Sequence, residues 1–411
     1  MRRRIHFHSD CPYFAGCENM LVNFFSDARL VNAYEISFSY RYSAKYESGF
    51  RERLDPRFDV IPLRLDDEGQ FIAQICRWVP WAAGIVRVAG RILLLRYWFV
   101  LTNTIRLYRI LGRRVPDIVH INNGNYPGAY SCMSAVFAAR LCGVRRIIYV
   151  VNNVAIPYKS LRRWLDYPFD SIVAKAASLF VTASRYAGDE LKKVLRLPAA
   201  KLANLHNGIA PRPVTETRVE TLSRLGIDLH RTLVGVIAIL EERKGHIVLL
   251  EAIRRIKESG GRAPLIIIEG EGLQRSHLEN FIREHALLDD VRMVGREDHI
   301  FNLLNAVDII ALPSISHEDF PNVVLEAMSL GKPVIGTRLA GIPEQIVHME
   351  TGLIVEPGDS DGLVLALQQL DSDTKLRLRL GQCAQQRFQR KFSAETAVEA
   401  YLRLYQNLLA S

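Results

Sequence analysis

The chain has 411 residues, of which 49% are apolar and 24% are charged. These proportions are typical of a folded globular protein and exclude an intrinsically disordered chain. The length is too great for one ordinary core, so we expect two domains of about 200 residues each.

The charge is divided unevenly along the chain. Residues 1–205 carry 30 Lys and Arg against 16 Asp and Glu, a net +14, whereas residues 206–411 carry 23 against 28, a net −5. This asymmetry predicts that the first half meets membrane lipid head groups, a lipid pyrophosphate or nucleic acid. A solvated basic face without a partner is the alternative. Aromatic RNA-binding motifs are absent from the sequence, so we expect no nucleic-acid partner.

The cysteines are scattered without CxxC pairs and without histidine partners at zinc spacing. This pattern indicates a reducing compartment and argues against a structural metal. The first ten residues are charged and lack the apolar stretch of a signal peptide, so we expect a cytoplasmic protein. The six cysteines are Cys11, Cys17, Cys76, Cys132, Cys142 and Cys383.

The first half alternates strand-like and helix-like segments, as a parallel α/β sheet requires. The predicted strands are Arg4–His8, Val115–Asn122, Arg146–Val151 and Leu179–Ala183. Each run ends in small or polar residues, and open α/β sheets place their ligand crevice at this end of the strands. A short loop that contains Gly16 follows the first strand.

The segment 81–114 is rich in Trp, Leu, Ile, Val and Arg. Its longest uncharged run has nine residues, whereas a membrane span needs about twenty. A helix lying in a membrane interface and a helix covering the first sheet fit the pattern equally well, and the basic first half favours membrane contact. On a helix the arginines share one arc and the bulky apolar residues lie mostly elsewhere. The arginines are Arg87, Arg91, Arg106, Arg109 and Arg113, and the apolar residues are Leu94, Leu95, Trp98 and Phe99.

After the stretch Leu205–Ile209, prolines and polar residues indicate a linker to a second strand–helix series. The chain closes on an amphipathic helical pattern over Thr396–Leu409. The strands predicted in the second series begin at Leu233 and lie within Pro264–Gly272, Val291–Gly295 and Val307–Leu312.

The segment 316–337 places Glu318 and Glu326 eight residues apart across a predicted loop-to-helix junction. Apolar residues recur there at helical spacing, with Pro321 suited to the first turn and Gly331 to the end. The two carboxylates can hold hydroxyl groups, and the unpaired N–H groups of the helix N-terminus suit a phosphate. An amphipathic helix with a solvated acidic start is the alternative.

This segment resembles the E-x7-E signature of retaining glycosyltransferases with the GT-B fold, of the family-4 or group 1 type. The strings AILEERKGH, LHNGI and GIPE resemble three further motifs of that family. The resemblance implies an α/β protein with two Rossmann-like domains facing a central cleft. We expect an acceptor-side domain over 1–209, a donor-binding domain over 210–394, and a C-terminal helix over 395–411 that packs back on the first domain.

The resemblance also implies roles for individual residues. Glu318 would hold the hydroxyls of the donor sugar and Glu326 the ribose, while Lys244 would neutralise the pyrophosphate as its charge develops. Glu318 and Lys244 are therefore the expected catalytic residues. The expected donor-binding residues are Gly16, Asn152, Arg243, Gly245, Glu271, Gly272, Phe320, Pro321, Asn322, Val323 and Glu326.

The chain departs from the family pattern at several of these motifs. Ile239 occupies the position of an arginine that normally binds phosphate, and Arg243 or Arg296 could partly substitute for it. Asn152 and Asn153 replace a His-Asp pair, so we name no general base. Glycines of the family pattern are replaced by Ala15, Glu269, Asp319 and Ala340.

The expected function is a metal-independent, retaining glycosyltransferase of the hexosyltransferase type at the inner face of the cytoplasmic membrane. It would move a sugar from a nucleotide-diphosphate sugar to a lipid-linked or polysaccharide acceptor, in lipopolysaccharide or exopolysaccharide biosynthesis. No cofactor or metal is expected, because in this family the leaving phosphate assists the attack. The alternatives are a non-catalytic sugar-nucleotide-binding subunit, which Ile239 and the Asn152–Asn153 pair favour, and a nucleotide-sugar epimerase of the same fold, which the E-x7-E string disfavours.

Overall fold

The computed structural model describes two compact units, each built on its own parallel sheet. The described residues are 2–12, 14, 16–82, 84, 95–228 and 230–410. The first unit consists of Met1–His206 with Val398–Ser411, and the second consists of Asn207–Ala397. The second unit is therefore inserted into the sequence of the first.

The first unit contains a seven-stranded parallel sheet in the order β3-β2-β1-β4-β5-β6-β7. The strand order reverses between β1 and β4, where Ser9 lies beside Asn122. In open α/β sheets, the carboxyl ends of the strands at such a reversal form the ligand crevice. The strands are β1 Arg3–Ser9, β2 Tyr34–Arg41, β3 Asp59–Leu63, β4 Ile118–Asn123, β5 Arg146–Val151, β6 Leu179–Thr182 and β7 Leu202–Asn204.

Helices cover this sheet, and several begin at a serine or aspartate that accepts a backbone N–H. Ser43, Asp67, Ser160 and Ser184 are such caps. The helices are α1 Asn19–Ser26, α2 Ala28–Ala33, α3 Ala44–Arg53, α4 Glu68–Trp78, α5 Leu95–Leu111, α6 Tyr130–Leu141, α7 Leu161–Trp164, α8 Tyr167–Ala176 and α9 Arg185–Leu195, with short 3-10 turns at Gly16–Glu18, Pro80–Ala82 and Ala199–Lys201.

The second unit contains a six-stranded parallel sheet in the order β10-β9-β8-β11-β12-β13. Apart from the edge strand β10, its strands are short runs of buried, mostly apolar residues, as expected for a parallel sheet with helices on both faces. The predicted parallel α/β architecture of both halves is thus confirmed. The strands are β8 Leu233–Ile237, β9 Leu265–Glu269, β10 Val291–Gly295, β11 Ile309–Leu312, β12 Val334–Thr337 and β13 Gly352–Val355.

The helices of the second unit alternate with its strands, beginning with a helix before β8 and ending with two helices after β13. The first of them begins with a capping box, in which Thr217 and Glu220 each bond the backbone N–H of the other. They are α10 Arg218–Arg224, α11 His246–Glu258, α12 Arg275–Glu284, α13 Ile300–Ala306, α14 Asn322–Ser329, α15 Ile342–Gln345, α16 Ser360–Ser372 and α17 Thr374–Lys391, with a 3-10 turn at Glu242–Lys244.

The last helix, α18, spans Ala394–Ala410, and from Val398 onward it belongs to the first unit. The hydroxyl of Tyr405 lies 2.8 Å from His120 Nδ1 in β4. Both residues are buried. The expected return of the C-terminal helix to the first domain is thereby confirmed.

Helix α5 contains most of the described part of the segment 81–114. Arg87, Arg91 and Leu94 of this segment lie outside the described residues. Arg96 is buried and forms an ion pair with Asp166 at 3.2 Å. The helix packs against α6, while a row of large apolar side chains remains exposed. Among the residues that the structure describes, no helix is long and apolar enough to cross a membrane. The exposed residues of α5 are Trp98, Leu101, Ile105 and Tyr108.

Candidate active site

The loop between β8 and α11 carries the expected lysine. Lys244 ends the 3-10 turn, and Gly245 follows it with a left-handed φ of 67°. A Cβ at position 245 would lie 2.0 Å from the carbonyl oxygen of Pro313. Only glycine therefore allows this loop to approach the loop that follows β11. The approach is fixed further by Ile315, whose N–H donates to the carbonyl of Arg243 at 2.8 Å.

This approach brings together the two charged residues expected to act on the donor. Lys244 Nζ donates to Glu318 Oε2, and both side chains are 11% exposed. Ser314 Oγ donates to the same oxygen at 3.3 Å. Arg243 lies 3.7 Å from Glu318 and 2.5 Å from Glu241. The Glu318 carboxylate is thus held by two cations and a hydroxyl inside the second unit.

Helix α14 begins as the sequence predicts, although Pro321 stands at the N-cap rather than in the first turn. Glu326 lies in the second turn and is half-buried, whereas Glu318 precedes the helix. Phe320 is buried with its ring 5.7 Å from that of Phe392, so it packs into the unit. Asn322 and Val323, the first helical residues, are half-buried.

The backbone of this loop differs from the one that a family glycine suggests. Asp319, which replaces that glycine, does not adopt a left-handed φ; His317, two residues earlier, does, with φ 50°. The substituted glycine of the GIPE turn behaves differently. Ala340 keeps a left-handed φ of 45°, a conformation that strains any residue with a Cβ.

The glycine pair after β9 is explained by contact within the chain. A Cβ on Gly270 would lie 2.0 Å from the carbonyl oxygen of Ala238, and one on Gly272 would lie 2.4 Å from that of Leu240. Both contacts are with the loop that exposes Ile239, the residue at the family's arginine position. Glu271 forms an ion pair with Arg275 at 2.8 Å.

Glu269 occupies the end of β9, where the family motif has its first glycine. Its carboxylate is buried and accepts the backbone N–H of Glu297 at 3.0 Å. Burial is the main cause that raises the pKa of this carboxyl group above its usual value. A buried carboxyl group therefore lies directly before the glycine turn.

Two expected donor-binding residues, Asn152 and Gly16, lie in the first unit. Asn152 Nδ2 donates to Asn122 Oδ1 at 2.8 Å, and Asn122 Nδ2 donates to Glu18 Oε2 at 2.8 Å. Gly16 opens the 3-10 turn that contains Glu18. These residues form a hydrogen-bonded network at the carboxyl ends of β1, β4 and β5. The remaining expected site residues lie in the second unit.

Three residues that contact the expected site residues were missed by the sequence analysis. Ser314 and Asn122 could have been found, because each stands where a predicted strand ends. Glu18 follows a loop without a clear period, so its burial could not be predicted. Burial raises its pKa to about 7, against hydrogen bonds from Ser9 and other groups that lower it.

Comparison with known proteins identifies the family. Residues 219–387 match the family model "Glycosyl transferases group 1", and residues 52–212 match "Glycosyltransferase Family 4". Each half of the chain thus carries a match to a glycosyltransferase family, and the second half matches group 1. The family resemblance of the E-x7-E segment is thereby confirmed, and the matched residues include every expected site residue except Gly16.

Curated relatives of this glycosyltransferase family match parts of the chain. It is 34% identical over 163 residues to the lipopolysaccharide core biosynthesis glycosyltransferase LpsE of Rhizobium meliloti, covering 40% of this chain and 46% of that relative. It is 26% identical over 365 residues to an alpha-D-kanosaminyltransferase of Streptomyces kanamyceticus, covering 86% and 88%. The chain spans less than half the length of the first curated relatives that it matches.

Solved structures share the fold of the entire chain. HepE of Anabaena in complex with UDP aligns with a TM-score of 0.75 at 16% identity, covering 98% of this chain and all of the other. A glycosyltransferase from Rickettsia africae aligns with a TM-score of 0.77 at 17% identity, covering 100% and 99%. These glycosyltransferase structures confirm the GT-B fold.

Proposed function

We propose that this chain is a retaining, metal-independent hexosyltransferase that uses a nucleotide-diphosphate sugar. The contact between Lys244 and Glu318 in the second unit carries the proposal. It joins the lysine of the AILEERKGH motif to the first glutamate of the E-x7-E segment. The structurally similar HepE was solved in complex with UDP, which supports uridine nucleotides as the first donor class to test.

The chemistry follows from charge and position. Glu318 is placed before the N-terminus of α14, whose N–H groups attract a diphosphate. Lys244 and Arg243 supply positive charge beside Glu318. They would take the place of the family arginine, whose position is occupied by Ile239. When the glycosidic bond breaks, the leaving diphosphate gains negative charge, and fixed cations stabilise it. The glutamates would then orient hydroxyl groups rather than exchange protons.

The proposed acceptor is a lipid-linked or growing surface-polysaccharide intermediate at the inner face of the cytoplasmic membrane. Support comes from the lipopolysaccharide core enzymes among the relatives and from the net +14 of residues 1–205. The first unit also exposes Trp78, Trp81 and Trp98 by 82%, 85% and 61%. Exposed tryptophans beside basic residues suit the interface of an anionic membrane.

A non-catalytic sugar-nucleotide-binding subunit is the second candidate. Ile239, 44% exposed at the family's arginine position, is the observation that favours it. Such a subunit would bind the donor without releasing the nucleoside diphosphate.

Thermal unfolding with UDP-, GDP- and ADP-sugars tests the donor assignment. One nucleotide class should raise the melting temperature, because ligand at 100 times its Kd stabilises by about 2.7 kcal/mol. Glu326→Ala should remove this shift. Release of nucleoside diphosphate, with the anomeric configuration of any product read by NMR, then separates an enzyme from a binding subunit. No shift with any of the three classes would refute the donor site.

A further inference from the structure

Two thiols and a carboxylate come together in the first unit, outside the residues assigned to the donor. Cys11 Sγ and Cys17 Sγ are 3.3 Å apart. These two sulfur atoms and one carboxylate oxygen of Glu18 all lie within 4.8 Å of one another. Within the described ranges, no other group of three His, Cys, Asp or Glu residues approaches this closely.

The carboxylate of this cluster is held in place by its neighbours. Ser9 Oγ donates to Glu18 Oε1 at 2.8 Å, and Asn122 Nδ2 donates to Glu18 Oε2 at 2.8 Å. Asn122 Nδ2 also lies 3.3 Å from the carbonyl oxygen of Cys17. Glu18 is fully buried and Cys11 is 7% exposed. In protein metal sites, a carboxylate that binds the metal is typically also oriented by hydrogen bonds from neighbouring residues that do not bind the metal.

We propose that Cys11, Cys17 and Glu18 bind one thiophilic divalent cation, for which Zn²⁺ is the best fit. Two thiolates and one carboxylate are a ligand set that zinc accepts, with a fourth position left to water. Thiolate ligands select against the harder Mg²⁺ and Ca²⁺. On binding, each thiol loses its proton to solvent and forms a metal–sulfur bond, without any change of oxidation state.

This site was not expected from the sequence, because the two cysteines lack a zinc spacing. Five residues separate them, and the third ligand is a glutamate adjacent to Cys17 rather than a histidine. The bound ion would join both ends of the segment that contains Gly16. The proposal concerns the first unit alone and does not depend on the donor site of the second.

Cobalt substitution tests this site directly. The untagged full-length chain, reduced and freed of metal, should bind one Co²⁺ with thiolate-to-cobalt absorption in the near ultraviolet, and Zn²⁺ should displace it. Cys11→Ser and Cys17→Ser should each remove the absorption. Glu18→Gln should weaken binding by about tenfold or more. Cys142→Ser, which changes a half-buried cysteine away from the cluster, should leave binding unchanged.

A second measurement does not depend on variants. Zn²⁺ should protect Cys11 and Cys17 from alkylation, as read by peptide mass, while Mg²⁺ should not. Absence of cobalt absorption in the reduced chain would overturn the proposal. Recovery of Cys11 and Cys17 as a disulfide that forms equally fast with and without Zn²⁺ would also overturn it.

Discussion

Lys244 and Glu318 are 74 positions apart in the chain, yet the lysine ammonium donates a hydrogen bond to the glutamate carboxylate. Both side chains are largely shielded from water, so solvent screens the attraction between the two charges only weakly. A bound diphosphate would give the lysine a second anion to stabilise, while the carboxylate remains available to hydroxyl groups. The pair would therefore offer a cation for phosphate and, beside it, a hydrogen-bond acceptor for hydroxyl groups.

Removing the lysine should abolish transfer. Lys244→Ala leaves Glu318 without its nearest cation and the diphosphate without neutralisation, and we expect kcat to fall by about 10²–10³-fold. Donor-dependent release of nucleoside diphosphate measures this. Lys375→Ala removes an exposed lysine of α17 and should have no effect. Wild-type turnover by Lys244→Ala would refute the role assigned to Lys244.

Gly245 and Gly260 form a matched pair of left-handed glycines. Both have positive φ, but a Cβ at 245 meets the carbonyl oxygen of Pro313 at 2.0 Å, whereas a Cβ at 260 meets nothing within 4 Å. Gly260→Ala should therefore cost only the left-handed strain of about 1–2 kcal/mol. Gly245→Ala should destabilise more and should also weaken donor binding, as measured by urea unfolding and by the thermal shift. Equal behaviour of the two variants would contradict this account.

Ala340 offers the opposite experiment, because it is strained in the native protein. Its φ of 45° suits glycine, so Ala340→Gly should raise the free energy of unfolding by about 0.5–1 kcal/mol after the added entropy of the unfolded chain is subtracted. Ala400→Gly, inside helix α18, should instead lower it by about 1 kcal/mol. Urea unfolding compares the two variants, and destabilisation by Ala340→Gly would be inconsistent with the strain.

Buried histidines should make the first unit sensitive to acid. Burial lowers the pKa of His6 to about 4 and those of His8 and His120 to about 3. Between these values and the ordinary pKa of 6.5, the unfolded chain binds more protons, so stability falls as pH falls. Each histidine contributes up to about 1.4 kcal/mol per pH unit. Glu18, whose pKa is raised to about 7 by burial, opposes this trend.

The variant His120→Gln isolates one of these contributions. Urea unfolding at several pH values between 6.5 and 4 should show a slope smaller than that of the wild type by up to one proton. The variant also alters the contact with Tyr405, which shifts the stability at every pH but leaves the slope difference readable. An unchanged slope would show that His120 is not buried in its neutral form.

Membrane contact should depend on the exposed tryptophans. The triple variant Trp78→Ser, Trp81→Ser and Trp98→Ser should lose several-fold in binding to vesicles that contain anionic lipid, because it removes the apolar anchors and retains the arginines. Leu365→Ser, which changes a residue 68% exposed in the second unit, is the control. Co-sedimentation at low and high salt measures the binding. Equal sedimentation of the variant and the wild type would oppose the proposed membrane face.

Much of the fold could be predicted from the sequence because its strands are apolar runs bounded by polar residues. Arg146–Val151 and Val291–Gly295 were predicted to the residue. The position of Glu326 in the second turn of α14 followed from helical spacing. Asp319 was harder, because a residue that replaces a glycine need not keep the left-handed conformation of that glycine.

The contact between Lys244 and Glu318 could not be predicted from spacing alone. It depends on β8 and β11 being neighbours in the sheet, which places the loops after the two strands side by side. The same reason applies to Cys17 and Asn122, which approach because β1 and β4 are adjacent. Strand order is a property of the entire unit, and no local pattern encodes it.

The hydrogen bond between Tyr405 and His120 has a practical consequence for anyone who wishes to study one unit alone. A fragment that stops at His206 would lack the end of helix α18 and would expose the buried side chains that this helix covers. During synthesis, helix α18 becomes available to the first unit only after the entire second unit has left the ribosome. A stable single-unit protein would therefore require α18 to be joined to residue 206 by a short designed linker.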